Sequence, residues 1–255
     1  MRAEQLYAEL EKLIPRELSC DWDNDGLMAA SYTDKPVERV LLTLDVTMPA
    51  VEYAIENSCN VIISHHPLIF RPLKGLRDEK LLRIVKNEIA VMSFHTRLDI
   101  VQGGVNDELA ALLGLENVAQ YGEGELARIG DLKENMSFDE YAEFVRKTLG
   151  APYVNVIKCR EEVGRVMAAG GDGKDFYADA VSSGAGTYIT GAMSYNTLVD
   201  AAENPARVNV IEAGHYFTEQ PVLNALERMV KNIIPDAEIR TYESNPVKTI
   251  GVNNK

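Results

Sequence analysis

Histidine is scarce in this 255-residue chain: there are four, and two stand side by side in the stretch VIISHHPLIF, residues 61–70. A neutral imidazole is the commonest metal ligand and the side chain best suited to moving a proton near neutral pH. Each histidine follows an apolar, strand-like run: His65 and His66 after NVIIS, His95 after IAVMSF, and His215 after VNVIEAG. Two of them have a carboxylate four residues on, Asp99 after His95 and Glu219 after His215. On a helix that spacing puts both groups on one face; on a strand-to-loop turn both can reach one centre. Histidine with carboxylate suits zinc, iron, manganese or nickel better than a soft thiolate site does. A carboxylate can also bridge two cations that together activate water. A lone histidine at a strand end is usually a hydrogen-bonded structural residue, and His95 by itself would be read so. Four at strand ends, two with the same carboxylate spacing, point instead to a metal site.

Side chains alternate across a strand, so His65 and His66 cannot reach one ion from inside a regular strand. Beyond the strand end, with Pro67 enforcing an extended turn, the alternation relaxes. Two neighbouring imidazoles can then serve two metals, or two sides of one pocket.

The elements that must hold these groups alternate in type. A helix over residues 2–13 is stopped by Pro15, and an Asp/Asn/Gly-rich loop, LSCDWDNDGLMAAS, follows. A strand in VERVLLTLDVT ends at Asp45, and Pro49 sits in the first turn of the next helix. The strand NVIIS, a helix over 78–87 and the strand IAVMSF come next, then a loop TRLDIVQGG and a helix capped by Asn106. The second half repeats the rhythm: a helix capped by Ser137, with Glu140 three residues on, then strands and helices down to a final strand AEIRTYE. Such alternation predicts an α/β fold with a mostly parallel sheet in each half. Ligands of these folds gather outside the carboxyl ends of the strands, which is where the histidines stand. The common order of the halves suggests a duplication, divided in the polar stretch 122–136 into repeats 1–125 and 126–255.

With 26 Lys and Arg against 39 Asp and Glu the formal charge is −13 and the sequence pI about 4.8. That sign disfavours a broad nucleic-acid grip, and bound cations would offset part of it. Cys20, Cys59 and Cys159 form no C-x-x-C pattern and read as reduced thiols of a cytoplasmic protein. None lies in a recognisable nucleophile motif. The first residues are an acidic amphipathic helix without a signal-peptide core, and no apolar run reaches membrane-span length. A triphosphate-cradling G-x-x-x-x-G-K-[ST] loop is absent; Gly170-Gly171-Asp172-Gly173 reads as a strand-to-helix turn.

The stretches DWDNDGLM, VLLTLDVT, ISHHPLIF, SFHTRLDIVQGGVNDELA, YITGAMSYNTLVDAAE and NVIEAGHYFTE span nearly the whole chain. In this order they resemble the dinuclear-metal-centre family of GTP cyclohydrolase I type 2 homologues, the Ngg-one-interacting-factor-three-like proteins. The resemblance implies two intertwined α/β repeats with a metal site between them and a toroidal homohexamer. It implies two divalent ions per chain held by His65, His66, Asp99, His215 and Glu219, with Asp99 as the bridge. His95 would be a further ligand or the proton-transfer group. Trp22, Asp23 and Asn24 would lie near the site, and Asp45 would orient a ligand. The implied function is a metal-dependent hydrolase acting on a small molecule or nucleotide, with a non-catalytic metal-binding scaffold as the alternative. One segment departs from the family pattern. Where T-G-E and a histidine pair are common, this chain has Thr190-Gly191-Ala192 and then Tyr195-Asn196, which removes acid/base groups and leaves the metal ligands.

Overall fold

The computed structural model describes residues 1–30 and 34–250. It is a mixed α/β fold in two compact units, one of Met1–Val101 with Leu223–Pro246, the other of Gln102–Val222 with the described residues from Val247.

The first unit holds α1 (Ala3–Leu13), β1 (Gly26–Ala29), β2 (Arg39–Thr43), α2 (Met48–Glu56), β3 (Val61–Ser64), α3 (Glu79–Lys86), β4 (Ala90–Ser93) and α4 (Thr96–Ile100). The second holds α5 (Val105–Leu112), β5 (Leu115–Tyr121), β6 (Ala127–Leu132), α6 (Phe138–Thr148), β7 (Asn155–Ile157), β8 (Val166–Asp172), α7 (Tyr177–Ser182), β9 (Thr187–Ala192), α8 (Tyr195–Glu203), β10 (Asn209–Glu212) and α9 (His215–Glu219). The chain then returns through α10 (Val222–Ile233) to β11 (Glu238–Tyr242) in the first unit.

The first sheet has the order β1-β4-β3-β2-β11. All its pairings are parallel except β1 on β4. Every residue of β3 and β4 is buried, as expected of central strands covered on both faces and written as continuous apolar runs. The second sheet has the order β5-β6-β8-β9-β10-β7, with β8, β9 and β10 parallel and the flanking strands antiparallel. Its core on one side includes Leu109, Phe138, Tyr141, Val166 and Ile211.

Several expectations are corrected. The loop after α1 contains β1, because Gly26-Leu27-Met28-Ala29 pairs antiparallel with β4. TRLDI, read as loop, is the short helix α4. Asn106 is not a helix cap: Gly104 takes that position. The buried Asn106 amide instead donates to the Leu126 carbonyl at 2.6 Å and accepts from the Gly170 amide at 2.8 Å. The polar stretch chosen as a divide holds β6, which pairs with β5 as an antiparallel hairpin. The compact units part after Val101, and β11 joins the first sheet by parallel pairing with β2. Residue pairing far apart in sequence, not local polarity, decides which unit a strand enters.

Candidate metal centre

The first unit brings three imidazoles together at the carboxyl ends of β3 and β4. Just past β3, the His65 and His66 amides still donate to the Thr43 and Leu44 carbonyls at 3.3 and 2.9 Å. This holds the backbone of both residues while their rings diverge. His65 and His66 ring centroids are 4.9 Å apart, and His95 completes the triangle at 5.3 and 5.6 Å. One ligand atom from each of the three lies within 4.8 Å of the others.

Each ring is held by the nitrogen that faces away from its neighbours. His65 Nδ1 is 2.9 Å from the Phe94 carbonyl. A carbonyl only accepts, so Nδ1 carries the proton and Nε2 the lone pair. His66 Nδ1 donates to Asp45 Oδ1 at 2.8 Å, and His95 Nδ1 to Asp23 Oδ1 at 2.9 Å. An oxygen acceptor behind the second ring nitrogen is the arrangement that fixes tautomer and orientation in metal-bound histidines. His65 Nε2 also faces Asp99 Oδ1 at 3.7 Å. Two electron-rich atoms at that spacing fit a shared ion, because donors about 2.0–2.2 Å from one metal lie roughly 3–4 Å apart. The donor set therefore fits a divalent cation.

Asp23 does more than hold a ring. Its side chain is fully buried, and Oδ2 accepts from the Thr96 amide at 3.1 Å and the Thr96 hydroxyl at 2.7 Å. Burial pushes its carboxyl up, but the bonds from His95 and Thr96 outweigh that and hold it at about 2. Behind it, the His95 amide donates to Asp25 Oδ2 at 3.1 Å. The wholly buried Arg97 donates to the same oxygen at 2.9 Å, to the Ile14 carbonyl at 3.1 Å and to Tyr7 at 3.2 Å, and lies over the Phe94 ring at 4.7 Å. A buried ion pair thus fixes the backbone that presents His95. Trp22, 63% exposed, stands edge-on to His95 at 6.1 Å, and Asn24 donates to the Ile69 carbonyl. The Asp/Asn-rich loop is thereby tied to His95 through Asp23 and to the β3–α3 connection through Asn24.

In the second unit the four-residue spacing does lie on a helix. His215 opens α9 and Glu219 ends it, with Nε2 to Oε2 at 2.8 Å. Glycines make room for this pair. Gly171 has φ +68°, and a Cβ there would collide with the Glu219 carboxylate. At Gly191 a Cβ would come within 2.6–2.7 Å of the Gly171 carbonyl, the Thr218 hydroxyl and the His215 Cα. The glycine run read as a plain turn is thus the floor on which Glu219 rests. The Thr190–Asn196 segment contributes no acid: Ala192 ends β9, Ser194 caps α8 through the Thr197 amide, and Tyr195 is 78% exposed.

Sequence reasoning missed Asp25, Arg97, Phe70 and the structural role of Gly171. Asp25 and Arg97 stand inside quoted motifs, but nothing in a charge pattern distinguishes a buried ion pair from a solvated one.

Comparison with known proteins places the chain in a family. The sequence matches the family described as Duf34/NIF3 (NGG1p interacting factor 3) over residues 1–248. The chain belongs to that family. A DUF34/NIF3 relative from Clostridium acetobutylicum, called GTP cyclohydrolase 1 type 2 homolog, is 30% identical over 94% of this chain and 94% of its own length. One of the same name from Streptococcus pneumoniae is 32% identical over 85% of this chain and 86% of its own. The crystal structure of a Bacillus cereus protein related to NIF3 shares the fold, with TM-score 0.88 over 98% of this chain and 99% of that one, at 23% identity. Among the described residues, no helix of this DUF34/NIF3 chain is long and apolar enough to cross a membrane.

Proposed function

We propose that this chain is a metal-dependent hydrolase of a small-molecule substrate, with two divalent ions held by His65, His66, Asp99, His215 and Glu219. The observation that carries the reading is the imidazole triangle, in which Nδ1 of each ring is tied to an oxygen acceptor. Zinc, iron, manganese and nickel all suit these donors. Such ions, when bound, make water a stronger acid and polarise the bond under attack. His95, braced by Asp23, would carry a proton at Nε2 to or from the reacting group. The name of these relatives, GTP cyclohydrolase 1 type 2 homolog, supports ring opening of a cyclic, nucleotide-like substrate. The family resemblance further supports a toroidal homohexamer, and the three thiols support a cytoplasmic setting.

The second reading is a non-catalytic metal-binding scaffold, favoured by Ala192, Tyr195 and Asn196 standing where the family has acid/base groups. Metal content per chain comes first in separating these readings. Two equivalents in protein purified without chelator, falling sharply in a His65→Ala, His66→Ala double variant, support the centre. Little metal after reloading would sink it. Metal-dependent turnover on cyclic amides, phosphoesters or nucleotides then decides between hydrolase and scaffold.

A further inference from the structure

The connection from β3 to α3, residues 65–78, is fourteen residues with no helix or strand of its own. Connections of that length inside a compact unit are uncommon and usually functional. After the histidines it reads PLIFRPLKGLR, residues 67–77, with three cations and no acid in a chain of net charge −13. Leu68 packs on the core, but three of the connection's apolar residues are not turned inward: Phe70, Leu73 and Leu76 are 47, 50 and 51% exposed. Arg71, Lys74 and Arg77 are exposed too, and none forms an ion pair among the described residues. Large exposed apolar groups interleaved with unpartnered cations mark a binding surface rather than a solvated loop.

The base of this loop adjoins the metal centre. Phe70 stands 6.3 Å from His95 at 87° and 6.2 Å from Trp22 at 61°. With Trp22 edge-on to His95, two exposed aromatic rings form a corner beside the imidazole. Faces of this kind stack planar groups with little regard to substituents. The cations begin at the next residue. An extended chain spans at most about 3.3–3.6 Å per residue, so Lys74 lies within roughly 14 Å of Phe70, a reach that suits one small molecule.

We propose that Trp22 and Phe70 with Arg71, Lys74 and Arg77 form a two-part subsite for a planar, anionic small molecule. The rings take the planar part beside His95, and the basic loop takes a phosphate or carboxylate. This rests on the reading of the histidine cluster as a metal centre, whose substrate class it specifies. A neutral or non-planar ligand would use only half of the surface.

Trp22 is the only tryptophan, so its emission reports the subsite directly and without turnover. The experiment titrates adenosine 5′-monophosphate into chelator-stripped and metal-reloaded protein, with adenosine and ribose 5-phosphate as single-feature controls. A saturable change in Trp22 emission is expected with the nucleotide. The dissociation constant should rise about tenfold or more in the Arg71→Ser, Lys74→Ser, Arg77→Ser triple variant and in Phe70→Ala, from the lost ion pairing and stacking. Both controls should bind at least tenfold more weakly. Circular-dichroism melting of both variants confirms that they fold, as exposed positions should allow. An unchanged emission, or equal affinity of the triple variant, overturns the proposal. A response in stripped protein that cannot be reloaded supports the subsite and sinks the hydrolase reading. Two bound ions with no response sink the subsite alone.

Discussion

Replacing Asp45 by Ala separates an orienting role from a folding role. Asp45 lies just past β2, and its Oδ1 accepts from His66 Nδ1 at 2.8 Å. Ser244 bonds both the Asp45 amide, at 3.1 Å, and Oδ2, at 3.3 Å. The Asp45 side chain is 41% exposed and that of His66 23%. Such a half-exposed pair contributes little to stability, about 0.2–1 kcal/mol, because water screens it. For a chain of this size that corresponds to a melting shift of no more than about 4 °C. The effect on metal is of another order. Without the carboxylate the His66 ring is free to rotate and to move its proton onto Nε2, the nitrogen that must ligate. Loss of such a partner typically lowers metal affinity by about 10–100-fold, which is about 1.4–2.7 kcal/mol. The assay is zinc titration against a chromophoric chelator, beside melting curves of the metal-free protein. Weakened zinc binding with a nearly unchanged melting point is expected, and Ser244→Ala should have a smaller effect in the same direction. If Asp45→Ala binds zinc within twofold of the parent, His66 is not oriented through Asp45, and the argument from the three braced rings fails.

Arg97→Met is expected to show the opposite signature. It leaves the buried Asp25 carboxylate without its guanidinium, which should cost about 3–5 kcal/mol. That is a melting loss of roughly 6–20 °C in thermal denaturation, and Arg97→Lys should recover little of it, since an ammonium cannot bond Asp25, Ile14 and Tyr7 together. Gly171→Ala should reduce bound metal and lower the melting point, because its positive φ and the Glu219 carboxylate both oppose a Cβ. Wild-type metal content with an unchanged melting point in that variant would show that Glu219 does not depend on the glycine floor.

The local parts of this site were legible in the sequence. Short continuous apolar runs bounded by turn signals mark buried strands, so the placement of His65, His66, His95 and His215 beyond strand ends could be read directly. The spacing of His215 and Glu219 is compatible with a helix face and with a strand-to-loop turn, and α9 makes it a helix face. What holds the rings could not be read in this way. His95 meets Asp23 across 72 residues, and His66 meets Asp45 across 21. Arg97 reaches Ile14 across 83. Nor could the sequence show that β6, written as Ala-Arg-Ile-Gly-Asp-Leu, is a strand, since its buried positions include an arginine and a glycine. The return of β11 to the first sheet was hidden because its partner β2 lies about 200 residues away in sequence.

The sequence by itself determined the type of most elements, the positions of the donor residues along the chain and the family. Those follow from periodicity and residue chemistry, which act within a few residues. Tertiary structure alone decided which sheet each strand joined, which oxygen acceptor meets Nδ1 of His65, His66 and His95, and which charges are buried. Those outcomes depend on hydrogen-bonding partners and on exclusion of water by distant parts of the chain. No local pattern encodes either.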